Sequence, residues 1–277
     1  MLHARPSWQR RLALALLITL TVVALTISSL GTAHRAAAAG LRRLPTGPRL
    51  SAPATTKPQP LRPLPAGRQL LRHVGGTIHL YPPVPGSFAT EKGAPLVVML
   101  HGMCSDPLPT CDYWNRAGRN GTFLVCPTGN SQCHGQPNWR GTSEQKASFL
   151  DGVLDAVARH YGRHLAAPGR GILMGFSRGA FVARDVAYAR PGHYRGLILI
   201  GAALIPDAKR LAASGIAAVV LAAGDYDGAR PMMERAAAQL NAAGLPARYL
   251  STGKIWHQLP DELEPIVTEA IAWIGTH

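Results

Sequence analysis

A five-residue stretch, Gly175-Phe176-Ser177-Arg178-Gly179, constrains this chain more than any other. The apolar run Gly171-Ile172-Leu173-Met174 leads into it, and Ala180 to Ala187 follows with the character of a helix. A serine held between glycines where a strand passes into a helix sits on a turn sharp enough to strain its backbone. The residues two before and two after it must therefore lack bulk. Such a turn exposes the serine oxygen at the end of the sheet, over a helix N-terminus that favours developing negative charge. The plainer reading is a glycine-rich turn with Ser177 as an ordinary N-cap. The residues downstream decide between the two.

Three further apolar runs read as strands: Leu197 to Ile200, Ala217 to Leu221 and Ala247 to Leu250. The second ends in Gly224-Asp225-Tyr226-Asp227, and the third leads through Ser251 to Trp256-His257. An acid thus follows one strand and a histidine follows the next. His257 is the only histidine between His193 and the terminal His277. Asp225 and Asp227 both lie on the loop, and whichever does not serve the histidine is expected to cap the helix after it, Ala229 to Leu240. Upstream, the strand Leu96 to Leu100 runs directly into His101-Gly102-Met103-Cys104.

A serine, an acid and a histidine in that order, each after a strand, together with a strand-His-Gly loop upstream, resemble the serine esterases of the α/β-hydrolase superfamily. From about His73 to His277 the chain is similar in character to compact carboxylesterases and to polyhydroxyalkanoate-depolymerase-like or feruloyl-esterase-like members. The resemblance implies a triad of Ser177, Asp227 and His257, with Asp225 as the alternative acid. Asp227 is preferred because these enzymes often carry the acid three residues after a strand-ending glycine. It also implies an oxyanion hole formed by the backbone N–H groups of Met103 and Arg178, with His101 structural. The implied reaction is hydrolysis of a carboxylic ester through an acyl-enzyme, with no metal or cofactor. The same triad serves peptidases and acyltransferases. A different class of reading is a non-catalytic, envelope-associated binding protein on this fold.

The coarse pattern predicts an α/β domain with a mostly parallel sheet covered by helices on both faces. Its strands fall near Thr77–Tyr81, Leu96–Leu100, Thr122–Cys126 and Gly171–Met174, followed by the three runs above. Its helices fall near Glu144–Tyr161, from the serine turn to Ala189, at Ala229–Leu240 and at Asp261–Ile274. Only about fifteen residues separate Ile200 from Ala217. That leaves room for a short helix but no large cap, so the site is expected to be open.

The charge is unevenly placed. No acidic residue precedes Glu91, and residues 1–72 hold 11 of the 29 Lys and Arg, leaving 18 basic against 15 acidic residues in the remainder. The folded part is therefore near +3 of the total +14. No basic stripe with interleaved aromatics appears, so nucleic acid is not an expected partner. Arg5, Arg10 and Arg11 precede an uncharged run, Leu12 to Leu30, and then Ala36 to Ala39. Residues 1–40 thus read as a signal sequence or a single-pass membrane anchor. Residues 41–72, with seven prolines between Pro45 and Pro65, read as a disordered linker, and 73–277 as the catalytic domain. The expected product is an exported monomer, periplasmic or extracellular, that meets small or polymeric esters and is tethered to the membrane if its leader is retained.

Cys104, Cys111, Cys126 and Cys133 form two pairs with the same spacing. An even number in an exported chain points to disulfides, and the spacing with His134 is not that of a zinc site. Three connectivities exist; local pairing, Cys104 with Cys111 and Cys126 with Cys133, is the expectation. Trp114, Trp139 and Trp256 are candidates for the cleft, with core packing the expected role for any one of them.

Overall fold

The computed structural model describes residues 63–73, 75–88, 92–260 and 264–277. The expected leader, residues 1–40, and the linker up to residue 62 lie outside the described residues.

Eight strands form one sheet: β1 (Gln69–His73), β2 (Gly76–Tyr81), β3 (Leu96–Leu100), β4 (Phe123–Pro127), β7 (Gly171–Phe176), β8 (Tyr194–Ile200), β9 (Ala218–Ala223) and β10 (Ala247–Ser251). Their spatial order is β1-β2-β4-β3-β7-β8-β9-β10. β2 runs antiparallel to both its neighbours, and every pair from β4 to β10 is parallel. Between β4 and the next helix, β5 (Ser131–Cys133) and β6 (Gln136–Asn138) form a separate antiparallel hairpin. The helices are α1 (Pro107–Gly118), α2 (Ser143–Tyr161), α3 (Arg178–Ala189), α4 (Ala208–Ala213), α5 (Arg230–Ala242) and α6 (Glu264–Gly275).

The strands are apolar at nearly every position because both faces of the sheet are covered. In β3, Val98 and Leu100 join a core with Leu150, Val153 and Val157 of α2, Val182 and Val186 of α3, and Met233 and Leu240 of α5. Val97 and Met99 face the other way, onto Cys111 and Trp114 of α1 and Val267 and Ile274 of α6. α2 starts cleanly because Thr142 accepts from the Gln145 N–H while the Gln145 side chain accepts from the Thr142 N–H.

The expected α/β architecture is present, and among the described residues no large cap stands over the sheet. The only helix between β8 and β9 is the six-residue α4. Several features differ from expectation: β8 starts at Tyr194 and not Leu197, and the β5–β6 hairpin was not expected. The sheet begins at Gln69, inside the stretch read as linker, because β1 pairs with β2 although only Leu71 of its side chains is buried. The helix α1, opened by Pro107 with Asp106 accepting from the Leu108 N–H at 2.9 Å, falls where no element was expected. The last helix is described from Glu264; the expected start at Asp261 lies outside the described residues.

That unexpected helix corrects the disulfide pairing. The bridges are Cys104–Cys133 and Cys111–Cys126, with Cα separations of 5.4 and 5.9 Å. Cys111 lies on the buried face of α1, with Trp114 and Ala117, packed over β4, which carries Cys126. Cys104 precedes the helix and meets the β5–β6 hairpin instead. Closing loops that span 15 and 29 residues stabilises the fold by about 3 and about 3.5 kcal/mol in the chain-entropy account. Replacing Cys111 and Cys126 by serine is expected to lower Tm with little change in turnover. Replacing Cys104 and Cys133 is expected to lower turnover as well. Non-reducing peptide mass spectrometry checks the pairing; a Cys104–Cys111 peptide would overturn it.

Candidate active site

Parallel strands place all their C-terminal ends on one edge of the sheet, and the loops leaving that edge carry the site. In register, Leu100 of β3 lies beside Gly175 of β7, Phe176 beside Ile200 of β8, and Ala223 of β9 beside Ser251 of β10. The segments after β3, β7, β9 and β10 therefore start level with one another. They bear Met103, Ser177, Asp227 and His257.

Ser177 sits at the junction of β7 and α3 with φ 53° and ψ −117°, a positive-φ conformation rare for a residue with a Cβ. Its N–H donates to the Ile200 carbonyl at 2.8 Å, which ties the turn to β8. The flanking glycines are required by close approach. A Cβ on Gly175 would run into the Gly179 backbone, and one on Gly179 into the carbonyls of Leu100 and His101. Ser177 is not an ordinary N-cap, since its side chain makes no capping hydrogen bond to α3.

The Ser177 hydroxyl lies 2.9 Å from His257 Nε2, and His257 Nδ1 lies 2.9 Å from Asp227 Oδ2. A carboxylate only accepts, so the Nδ1 atom carries the proton and Nε2 is left to accept from the serine. The imidazole stacks on the Phe176 ring, with centroids 5.2 Å apart. Asp227 is buried, and its other oxygen accepts the Ala229 N–H at 2.9 Å, which fixes the carboxylate plane.

Asp225 is engaged elsewhere. Its Oδ1 accepts from Ser251 Oγ at 2.6 Å and from the Arg230 guanidinium at 3.3 Å. The structure thus brings Asp227 to the histidine and leaves Asp225 as a tie between the loop and β10. Neither carboxylate caps α5 as expected; its N-cap is Ala229, with no side-chain cap.

A participant with no signal in sequence pattern is Gly201, the residue after β8. It has φ 58°, and a Cβ there would stand 3.2 Å from both Asp227 Oδ2 and His257 Cε1. Only glycine leaves the acid–histidine pair undisturbed at that position.

On the opposite side of Ser177, Gly102 packs against Phe176 and Ser177. No backbone carbonyl among the described residues receives the N–H of Met103 or of Arg178, the first residue of α3. Donors without a backbone acceptor are what an oxyanion hole requires.

Beneath them His101 is fully buried, and its Nδ1–H donates to the Gly102 carbonyl at 2.7 Å. Burial pushes its pKa down to about 4, against a lesser opposing effect of that hydrogen bond. His101 is therefore neutral and structural. The unfolded chain regains a pKa near 6.5, so stability from this group is complete above that value. It is lost progressively as pH falls towards 4, by up to about 3 kcal/mol. The buried edges of His73 and His79 act in the same direction. Tm is expected to fall across this window, and His101→Gln to show a shallower slope. Equal slopes in both proteins would refute the assignment.

The three candidate tryptophans separate. Trp114 and Trp139 are core residues, whereas Trp256, expected to pack inside, is 70% exposed next to His257. Its ring lies 5.6 Å from that of Tyr226, itself 49% exposed and adjacent to Asp227. Met103, on the loop after β3, is 63% exposed. Exposed apolar side chains thus stand next to His257 and on the loop after β3.

The architecture is shared with solved esterases. Esterase PE8 aligns with 25% identity over 70% of this chain and 97% of that protein, at a TM-score of 0.54. The chain has the α/β-hydrolase fold. A ferulic acid esterase aligns at 14% identity over 75% of this chain and 96% of that one, TM-score 0.57. The Bacillus cereus carboxylesterase aligns at 15% identity over 73% and 95%, TM-score 0.52. No protein-family model matches the sequence, and no curated protein matches it. The α/β-hydrolase domain of this chain is thus far more similar to others in backbone than in sequence.

Proposed function

We propose that this α/β-hydrolase is a serine hydrolase of carboxylic esters, with Ser177 as nucleophile, His257 as general base and acid, and Asp227 as the orienting carboxylate. The observation that carries the reading is His257 bridging Ser177 Oγ and Asp227 Oδ2 at 2.9 Å on each side. The esterase names of the structural neighbours, and the fluorophosphonate-binding serine hydrolase of Staphylococcus aureus among them, point to the same chemistry.

In this mechanism His257 Nε2 takes the serine proton as Oγ attacks the ester carbonyl. The carbonyl oxygen becomes an oxyanion held by the Met103 and Arg178 N–H groups. As the tetrahedral intermediate collapses, His257 passes its proton to the leaving alcohol and the acyl group stays on Ser177. Water then gives a proton to His257 as it attacks the acyl carbonyl; the C–Oγ bond breaks as His257 returns that proton to Ser177 Oγ, and the acid leaves.

The same reading places the domain outside the cytoplasm, behind the basic and apolar leader, where two disulfides persist. The test is labelling of the full chain with a fluorophosphonate, alongside hydrolysis of a chain-length series of p-nitrophenyl esters. Labelling of Ser177 with turnover of at least one ester supports the assignment. An intact, folded protein that neither labels nor hydrolyses any of them overturns it.

A further inference from the structure

The segment Cys133 to Trp139 touches the oxyanion loop at three points. Cys133 is bonded to Cys104, the residue after Met103. The Ser105 N–H donates to the Pro137 carbonyl at 3.1 Å. The Trp139 indole N–H donates to the His101 carbonyl at 3.0 Å, in the buried interior, with the two rings 5.1 Å apart. A fourth contact reaches the other donor: the Arg178 guanidinium approaches the Trp139 carbonyl at 3.5 Å.

The segment itself is pinned. The Asn130 side chain accepts the Arg140 N–H and donates to the Arg140 carbonyl, both at 2.9 Å, closing the base of the hairpin as a strand pair would. A Cβ on Gly129 would run into the Asn138 carbonyl, so the two sides of the hairpin meet as closely as backbone allows. Cys104 and His134 have φ of 50° and 48°, conformations that persist only where the surroundings impose them.

From these contacts we propose that Trp139 is a positioning residue of the oxyanion hole: its indole N–H fixes the His101 carbonyl, and through the next peptide units sets where the Met103 N–H points. The proposal rests on the serine-hydrolase reading above and deepens it. The chemistry is specific to the indole. His101 is buried and its carbonyl has no other donor described, so losing the N–H frees the loop at the one point inside the core. A donor displaced by about 1 Å costs on the order of 100-fold in rate, because the oxyanion exists only on the way through the transition state.

The test is Trp139→Phe, which keeps an aromatic ring and removes the donor together with part of the buried ring volume. The expected result is a kcat lower by about 10- to 100-fold on a p-nitrophenyl ester, with KM changed less than about threefold. Affinity for a trifluoromethyl ketone, whose adduct places an oxyanion in the hole, is expected to fall in parallel with kcat/KM. Phe149→Leu is the control for loosened packing. Phe149 stacks edge-on against Trp139 with centroids 6.1 Å apart, and no described contact joins it to the oxyanion loop. It is expected to lower Tm with kcat unchanged.

Trp139→Phe with wild-type kcat and ketone affinity would overturn the proposal. So would Phe149→Leu reproducing the whole kinetic loss at equal Tm. Ser177→Ala separates the two levels. If it stays active, the serine-hydrolase reading fails; if it is inactive while Trp139→Phe is unchanged, only the positioning role fails.

Discussion

Ser177→Ala is expected to abolish fluorophosphonate labelling and to lower kcat for ester hydrolysis by roughly 10⁴- to 10⁶-fold, with Tm unchanged or raised. The magnitude follows from the geometry. Without Oγ, His257 Nε2 has no proton to take and no acyl-enzyme can form. On the proposed mechanism, the residual rate would come from water attacking an ester held by the Met103 and Arg178 donors. Stability is expected to hold or rise because Ser177 has its strained backbone from the turn itself, and its hydroxyl makes no hydrogen bond to α3. A variant that still labels, or keeps a tenth of the activity, would assign the nucleophile elsewhere.

Asp227→Asn is expected to cost about 10⁴-fold in kcat, and Asp225→Asn less than about tenfold. The argument is one of tautomers. In the Asp227→Asn variant the amide carbonyl oxygen would keep the Ala229 N–H bond that Oδ1 makes now. The amide NH₂ would then face His257 Nδ1, which could only accept. The imidazole proton would move to Nε2, the atom that has to receive the serine proton, and the base would be lost without any change in shape. Asp225 holds Ser251 and the half-exposed Arg230, and an amide keeps the first of these contacts. Steady-state kinetics on the two variants with one ester decide the matter; comparable losses would return Asp225 to the acid role.

The elements that carry Ser177, Asp227 and His257 were legible because buried parallel strands are written as short, unbroken apolar runs. Leu96 to Leu100 and Gly171 to Met174 need no tertiary information to be read. The order serine, acid, histidine follows from the order of those runs. What escaped was written in weaker chemistry. β1 hides in a basic, proline-bearing stretch because it lies at the sheet edge and buries only Leu71. α1 begins Pro-Leu-Pro, which reads as a loop, and its buried side is the thin stripe Cys111, Trp114 and Ala117. Missing α1 led directly to the wrong cysteine pairing, since spacing alone cannot show that a helix carries Cys111 to β4. The choice between Asp225 and Asp227 rested on family likeness; the physical distinction lies in Ser251 and Arg230, partners 26 and 5 residues away. Gly201 carried no pattern at all, because its role is to leave space beside a carboxylate and an imidazole brought together from two other loops.

The corrected disulfides are nested, with the Cys111–Cys126 loop lying wholly inside the Cys104–Cys133 loop. For a chain emerging from its N-terminus, this reverses what chance encounter favours. Cys104 and Cys111 are the first two thiols to appear, and nothing but each other is then available to oxidise against. The native partners arrive later, Cys126 with its strand and Cys133 only after the hairpin has begun. Native pairing is therefore expected to need thiols kept open, or disulfide exchange, until Cys126 and Cys133 are available. The last bond in that order, Cys104–Cys133, is the one that secures the loop beside Ser177. On the proposed mechanism, full activity is expected only once that last bond has closed.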